Sequence, residues 1–246
     1  DKHHGTAIQL LKKGKHLLIE KPITTLLGDA EELVRTAEKN GLVLGVGHVE
    51  SYNPAFCAAE KIAGRPLFME VHRLAAYPPP RPGTYRRGTE VGVVLDLMIH
   101  DLELVLRLAK SPVEKVEAVG MRILSPDEDI ANARITFADG AIANVTASRL
   151  SQEASRRFRV FYKDSYVSLD LGKRTAMLFS TKDGEVAKEN VPVRDCNALE
   201  AEIGDFVDSS LKTISTGKLH GMKASGRHGL DALRLAADRI RAYHAR

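Results

Sequence analysis

The chain of 246 residues contains no tryptophan, and aromatic residues make up only 5% of it. Nucleic-acid surfaces of the stacking kind interleave aromatics with basic residues, so this scarcity argues against such a partner. The two cysteines, Cys57 and Cys196, are far apart and show no C-x-x-C spacing. That disfavours a disulfide framework and a structural zinc site, and it suits a reducing cytoplasm. No apolar run approaches the ~18–20 residues of a membrane span. An excess of one charge is missing too: 36 basic against 32 acidic residues leave a formal charge of +4. Small basic clusters occur at Arg81, Arg86 and Arg87 and at Arg156, Arg157 and Arg159. They read as solvated faces or, at their sharpest, as partners for a phosphate-bearing small molecule. The opening Asp1-Lys2-His3-His4 offers neither the basic start nor the apolar core of a secretory signal.

Against these absences, 43% of the residues are hydrophobic, enough for one large core or two moderate ones. Residues 4–13 carry apolar side chains at helical spacing and end at Gly14. The short apolar run 16–20 reads as a parallel strand buried on both faces, closed by Pro22. Thr24 or Thr25 is expected to cap a second helix carrying Ala30, Leu33, Val34 and Ala37, and 42–48 is a second buried strand. This rhythm is that of a doubly wound α/β domain, and two strands alone imply more sheet than these residues supply. From about residue 51 the pattern changes. A short helix from Pro54 to about 62, a strand at 67–75 and a stiff Pro- and Arg-rich loop at 77–88 precede an apolar helix at 95–109. Alternating runs at 116–123, 131–137, 141–148, 158–162, 167–171 and 176–180 predict a meandering, mostly antiparallel sheet. Helices at about 197–214 and 225–244 close the chain.

The chemistry concentrates in two stretches. In Gly92-Val93-Val94-Leu95-Asp96-Leu97-Met98-Ile99-His100-Asp101, the residues Asp96 and His100 lie four apart at the start of an apolar-periodic segment and share a helical face. Glu20-Lys21-Pro22 ends the first strand, from where Lys21 can be aimed at the same cleft. Lys, Asp and His together are the parts of a proton-transfer site beside a hydride acceptor. His48, at the end of the second strand, stands where ligands bind in parallel sheets. Asp96, His100, Asp101 and His48 could also be read as metal ligands, but no H-E-x-x-H accompanies them and no metal is expected. A glycine-rich G-x-G-x-x-G turn, which would hold a dinucleotide pyrophosphate, does not occur; Gly45-Val46-Gly47 lies in a strand and opens no helix. The expectation is a redox enzyme whose front end precedes Asp1.

The run Gly14-Lys15-His16-Leu17-Leu18-Ile19-Glu20-Lys21-Pro22 resembles the GKHVLxEKP signature of the glucose–fructose oxidoreductase/inositol dehydrogenase (Gfo/Idh/MocA) family. His3, eleven residues before Gly14, and the set Gly92, Asp96, His100 and Asp101 match further family positions. The resemblance implies the C-terminal part of a Rossmann dinucleotide-binding domain at residues 1–50. A large open-sheet α+β domain for substrate binding and oligomerisation, with helices on one face, follows at 51–246. Roughly 75 residues of the first domain would then precede Asp1. The resemblance further implies NAD or NADP, hydride transfer at the hydroxyl-bearing carbon of a sugar, polyol or nucleotide sugar, and a homodimer or homotetramer formed through the open sheet. Lys21, Asp96 and His100 would be catalytic, with His100 the base. His3, Glu20, Lys21, Pro22 and His48 would lie on the cofactor. The stretch Gly47-His48-Val49-Glu50-Ser51-Tyr52-Asn53-Pro54 resembles the variant found in members acting on UDP-linked N-acetylglucosamine. On that reading Tyr52, Asn53 and Asp96 contact substrate, with Arg81, Arg86 or Arg87 on its phosphates. A rival of another class is a non-catalytic binding or assembly protein that keeps the fold without a working cofactor domain.

Overall fold

A computed structural model describes residues 2–62, 64–79, 91–182 and 185–237. The chain begins with α1 (His3–Lys12), β1 (Leu17–Ile19), α2 (Leu27–Lys39) and β2 (Leu44–Val46). The two strands run parallel, Leu17 opposite Leu44 and Ile19 opposite Val46, so their carboxyl ends open on the same side. Residues 20–22 and 47–48 leave the sheet there. Neither Thr24 nor Thr25 caps α2: the N-cap is Leu26, without a side-chain bond. The chain continues past Pro22 before it turns into the helix, and the Thr24 hydroxyl instead donates to the Leu26 carbonyl at 2.6 Å.

A 3-10 turn (Val49–Tyr52) and α3 (Pro54–Ala59) lead to β3 (Phe68–Leu74). After a π-helical turn (Val94–Met98) comes α4 (Ile99–Ala109). The strands β4 (Val113–Met121), β5 (Ile130–Phe137), β6 (Ile142–Ser148), β7 (Ser155–Phe161), β8 (Ser165–Asp170), β9 (Thr175–Lys182) and β10 (Glu185–Asn190) follow, and then α5 (Ala198–Thr216) and α6 (Gly226–Arg234). The last eight strands in this order, β3 to β10, form one sheet, arranged β10-β9-β8-β7-β3-β6-β5-β4. Only β3 and β6 pair parallel; all other neighbours are antiparallel. β10 carries no sequence alternation because it is an edge strand solvated on both sides, with nothing to bury.

Alternation along β3 separates the two faces of this sheet. Met69, Val71 and Arg73 are buried, while Phe68, Glu70 and His72 are half-exposed. On the open face a row of rings crosses four strands: Phe68 on Phe161, Phe161 on Tyr166, and Tyr166 stacked on Phe179 with centroids 4.4 Å apart.

The last helix returns to the first strands. Val46 N–H donates to the Ala224 carbonyl at 3.0 Å, Gly45 bridges Ser225, and α6 lies against β2. The approach is close enough that a Cβ on Gly229 would lie 2.6 Å from Val46 Cγ2, and one on Gly226 2.7 Å from Leu44 Cδ2. Strand backbone on one side and helix backbone on the other leave little room to yield. Gly229→Ala is therefore expected to destabilise the protein by about 1–3 kcal/mol, the usual cost of overpacking. A urea midpoint equal to that of the parent would show that the helix can shift outward at no cost.

Candidate active site

Lys21 follows β1 and reaches across to the π-helical turn, 75 residues later in sequence. Its Nζ donates to the Asp96 carbonyl at 2.6 Å and to Asp96 Oδ1 at 3.1 Å. The expected helix at 95–109 thus opens with a π turn, a local loosening of the backbone ladder common at functional sites. Both side chains keep some exposure, 19% for Lys21 and 25% for Asp96, so the pair is not sealed in the core.

His100 stands in the first turn of α4, half-buried, with its Nδ1 buried and lacking a hydrogen-bond partner. Burial pushes its imidazolium well below the ordinary histidine range, and the charges of Arg73 and Lys21 push the same way. The ring is therefore neutral at physiological pH, the form that can accept a proton. His48, which leaves the end of β2, packs edge-to-face on it with centroids 6.0 Å apart. It is 1% exposed, and neither of its nitrogens has a partner. Burial above all, with Lys21, Arg107 and His228 adding to it against Glu103, brings its pKa down to about 4.

A buried ion-pair network supports this arrangement. Arg73, at an inward position of β3, forks onto Asp101 with Nε–Oδ2 of 2.9 Å and Nη2–Oδ1 of 2.8 Å. Its Nη1 also meets Glu50 at 3.2 Å, and Arg156 reaches the same Glu50 oxygen at 3.1 Å. Asp101 thus belongs to the foundation of α4. A second knot holds the chain entering the π turn. Arg149 Nε donates to Asp129 at 2.8 Å, its Nη2 to Ser125 at 2.7 Å and its Nη1 to the Val91 carbonyl at 3.0 Å. Gly92 lies so close to Glu128 that a Cβ there would stand 2.1 Å from the carboxylate. Sequence reading missed Arg73, Arg149 and Asp129, and placed Glu50 in a motif without seeing its buried partners. The one available signal was a charged residue at an inward register position of a strand, as Arg73 is after Met69 and Val71.

The other expected residues fall into four groups. His3 and Pro22 stand behind Lys21: His3 Nδ1 is 3.0 Å from the Pro22 carbonyl oxygen, and the Lys21–Pro22 bond is cis. Glu20 is exposed, its carboxylate beside Gly47. Tyr52 and Asn53 engage interior partners. The Tyr52 hydroxyl donates to Asp205 at 2.7 Å and accepts from Ala224 N–H at 3.2 Å. Asn53 caps α3 through Ala55 N–H and donates to Glu50 and to the Leu171 carbonyl. Arg81, Arg86 and Arg87 lie outside the described residues.

Residues 1–48 match the family model described as oxidoreductase family, NAD-binding Rossmann fold, and residues 57–167 match that of the GFO/IDH/MocA C-terminal domain. The solved UDP-N-acetylglucosamine 3-dehydrogenase of Acidithiobacillus ferrooxidans is 32% identical, with a TM-score of 0.85 over 98% of this chain and 76% of that one. The chain belongs to the Gfo/Idh/MocA oxidoreductase family. By sequence alone, the same bacterium's UDP-N-acetylglucosamine 3-dehydrogenase is 35% identical over 214 residues, 84% of this chain and 66% of that protein. The 1,5-anhydro-D-fructose reductase of Ensifer adhaerens is 30% identical over 64% of this chain and 50% of its own. The chain thus spans about half to two thirds of the length of these curated relatives. A levoglucosan dehydrogenase solved with NADH shares the fold, with a TM-score of 0.86 at 18% identity.

The family's nicotinamide cofactor fits the donors present. The ammonium of Lys21 and the unpartnered nitrogens of His48 stand at the carboxyl ends of parallel strands, where such cofactors bind, and the unpartnered Nδ1 of His100 belongs to the ring packed on His48. Among the described residues no helix is long and apolar enough to cross a membrane.

A neutral, buried His48 also makes stability depend on pH. Its folded pKa of about 4 lies below the ordinary 6.5, so the unfolded chain takes up the proton first. Its contribution is complete above about pH 6.5 and is lost progressively down to about pH 4, on the order of 3 kcal/mol. Urea unfolding at pH 7, 5.5 and 4 should show this fall in the parent and a shallower one in His48→Gln. Parallel pH profiles would remove His48 as its source.

Proposed function

We propose that this protein transfers a hydride between NAD or NADP and a hydroxyl-bearing carbon of a sugar-like substrate, with a UDP-linked N-acetylated sugar as the first candidate. The observation that carries this reading is the Lys21 ammonium held on Asp96, with its charge acting on a neutral His100 four residues further along. The similarity to a UDP-N-acetylglucosamine 3-dehydrogenase supports the substrate class. When bound, the nicotinamide supplies the hydride acceptor. His100 takes the substrate hydroxyl proton as the oxygen becomes carbonyl, since a neutral imidazole is the proton-accepting form. Lys21 stabilises the negative charge that develops on that oxygen. Asp96, through its backbone carbonyl and its carboxylate, fixes the ammonium in place and lies at the substrate side of the cleft. His3 steadies the Pro22 turn from behind. Carbonyl reduction uses the same groups in reverse.

The division of labour proposed with it puts cofactor contacts on residues 1–50 and substrate contacts and subunit pairing on 51–246. The open face, with its four-ring row and exposed Val119 and Met121 near the β4 edge, suits pairing with a second copy in a dimer or tetramer. Cys57 and Cys196 are both free thiols, which suits a reducing cytoplasm.

Lys21→Ala and His100→Asn should each lower kcat/KM by about 10²–10⁴-fold while leaving the circular dichroism spectrum unchanged. Nicotinamide reduction followed with UDP-sugars and free sugars is the measurement. Full activity in either variant would remove that residue from the reaction, and equal turnover of UDP-linked and free sugars would remove the nucleotide-sugar preference.

A further inference from the structure

The basic cluster Arg156, Arg157 and Arg159 lies on β7, and strand alternation splits it between the two faces of the sheet. Arg157 stands opposite His72 and Arg159 opposite Glu70, both on the open face, where Arg159 meets Glu70 at 3.0 Å. Arg156 stands opposite Arg73 and shares the inward face with it. Like charges directly opposite each other on neighbouring strands repel, so this pair needs an anion between them. Glu50 supplies it. Its Oε1 accepts from Arg73 Nη1 at 3.2 Å and from Arg156 Nη1 at 3.1 Å, while Oε2 accepts from Asn53 at 2.9 Å.

The two guanidiniums are served unequally. Arg73 is enclosed, with Nε and Nη2 bonded to Asp101. The Arg156 side chain is 53% exposed, and among the described residues its guanidinium bonds only to that shared Glu50 oxygen. One arm of the fork is thus pinned to a buried carboxylate, and the other N–H groups are left to solvent. The cluster balances two arginines against Glu50 and Asp101, yet both carboxylates are buried, so it shows solvent its positive end.

Its place in the fold joins it to the site. β3 and β6, the one parallel pair of this sheet, end together at Leu74 and Ser148, and β7 enters beside β3 at Ser155. Arg156 therefore stands at the carboxyl ends of parallel strands, the rim at which ligands collect in open sheets. Direct contacts run from Arg156 to Glu50, from Glu50 to Arg73 and from Arg73 to Asp101, the residue after His100. The charge of Arg156 also acts on His100.

We propose that Arg156 receives the diphosphate of a nucleotide-sugar substrate, aimed by the buried carboxylate of Glu50. The inference rests on the dehydrogenase reading above and names a residue for its substrate class. A guanidinium with free N–H groups pairs with two oxygens of one phosphate in a planar, charge-assisted contact. Anchoring one arm beforehand lowers the cost of ordering a long side chain on binding. Arg156 holds the nucleotide arm and not the reacting carbon, so it binds ground state and transition state alike. Its loss should raise KM and spare kcat.

The test compares the parent with Arg156→Gln, Arg156→Lys and Arg157→Gln, by kinetics on a UDP-linked sugar and its free counterpart and by calorimetric titration with UDP and uridine. The parent should bind UDP about tenfold or more tighter than uridine. R156Q should lose that margin and raise KM for the UDP-sugar about 10–100-fold, with kcat within about threefold and KM for the free sugar unchanged. R156K, which keeps the charge without the fork, should recover part of the loss. R157Q removes the same charge from the opposite face and should behave as the parent. An R156Q that keeps the margin for UDP overturns the assignment, and so does an equal loss in R157Q, which would reduce the effect to net charge. A preference for glucuronate over glucose that depends on Arg156, without a preference for UDP over uridine, would put a ring carboxylate there and overturn the diphosphate. If R156Q fails to fold, R156K against R157Q in the UDP titration decides by the same criteria. A parent without turnover on any sugar sinks the dehydrogenase reading, whereas the UDP titration judges Arg156 independently of it.

Discussion

The contact between Lys21 and Asp96 is the constraint around which the rest is arranged. It joins a parallel strand end to a helix start 75 residues away, and it sits on the boundary between the small parallel sheet and the large mixed one. An ammonium bonded to a backbone carbonyl as well as a carboxylate has little freedom to wander, as the proposed role of Lys21 requires. The two partly exposed side chains would by themselves contribute little to stability. Their placement is secured from below, by Arg73 forked onto Asp101 and by Arg149 holding the chain that enters the π turn.

Those two arginines show how the fold uses buried charge. Each is almost fully enclosed and each is matched by a carboxylate on another element, so removing one partner would leave the other charge unpaired in the interior. Burial keeps His100 neutral in the first place, and the enclosed charge of Arg73 pushes the same way. One of the groups that anchor α4 thus also bears on the protonation state of a histidine in its first turn.

Much of this was legible in the residues. Parallel strands read from short apolar runs, the meander read from alternation, and of the residues read from two motifs, Lys21 and Asp96 meet through a hydrogen-bonded ion pair. Three kinds of feature escaped. The π turn has the same apolar spacing as an α-helix, so periodicity could not distinguish them. The edge strand β10 has no buried face and hence no pattern. Arg73, Arg149 and Glu202 look like ordinary surface charges in a linear chain, and only the third dimension shows that they are interior. Tyr52 and Asn53 illustrate the reverse: their types suggested contact with a ligand, whereas the fold gives both of them interior partners.

The return of α6 onto β2 links the order of synthesis to the order of assembly. Leu44 and Val46 wait for Gly226 and Gly229, which leave the ribosome some 180 residues later, so the early strands emerge with one flank still bare. Contacts of such long separation close late and slowly. The two-stranded parallel sheet therefore gains its full packing only once α6 has arrived, and a nascent chain stalled before that point presents an apolar strand face for chaperones to guard.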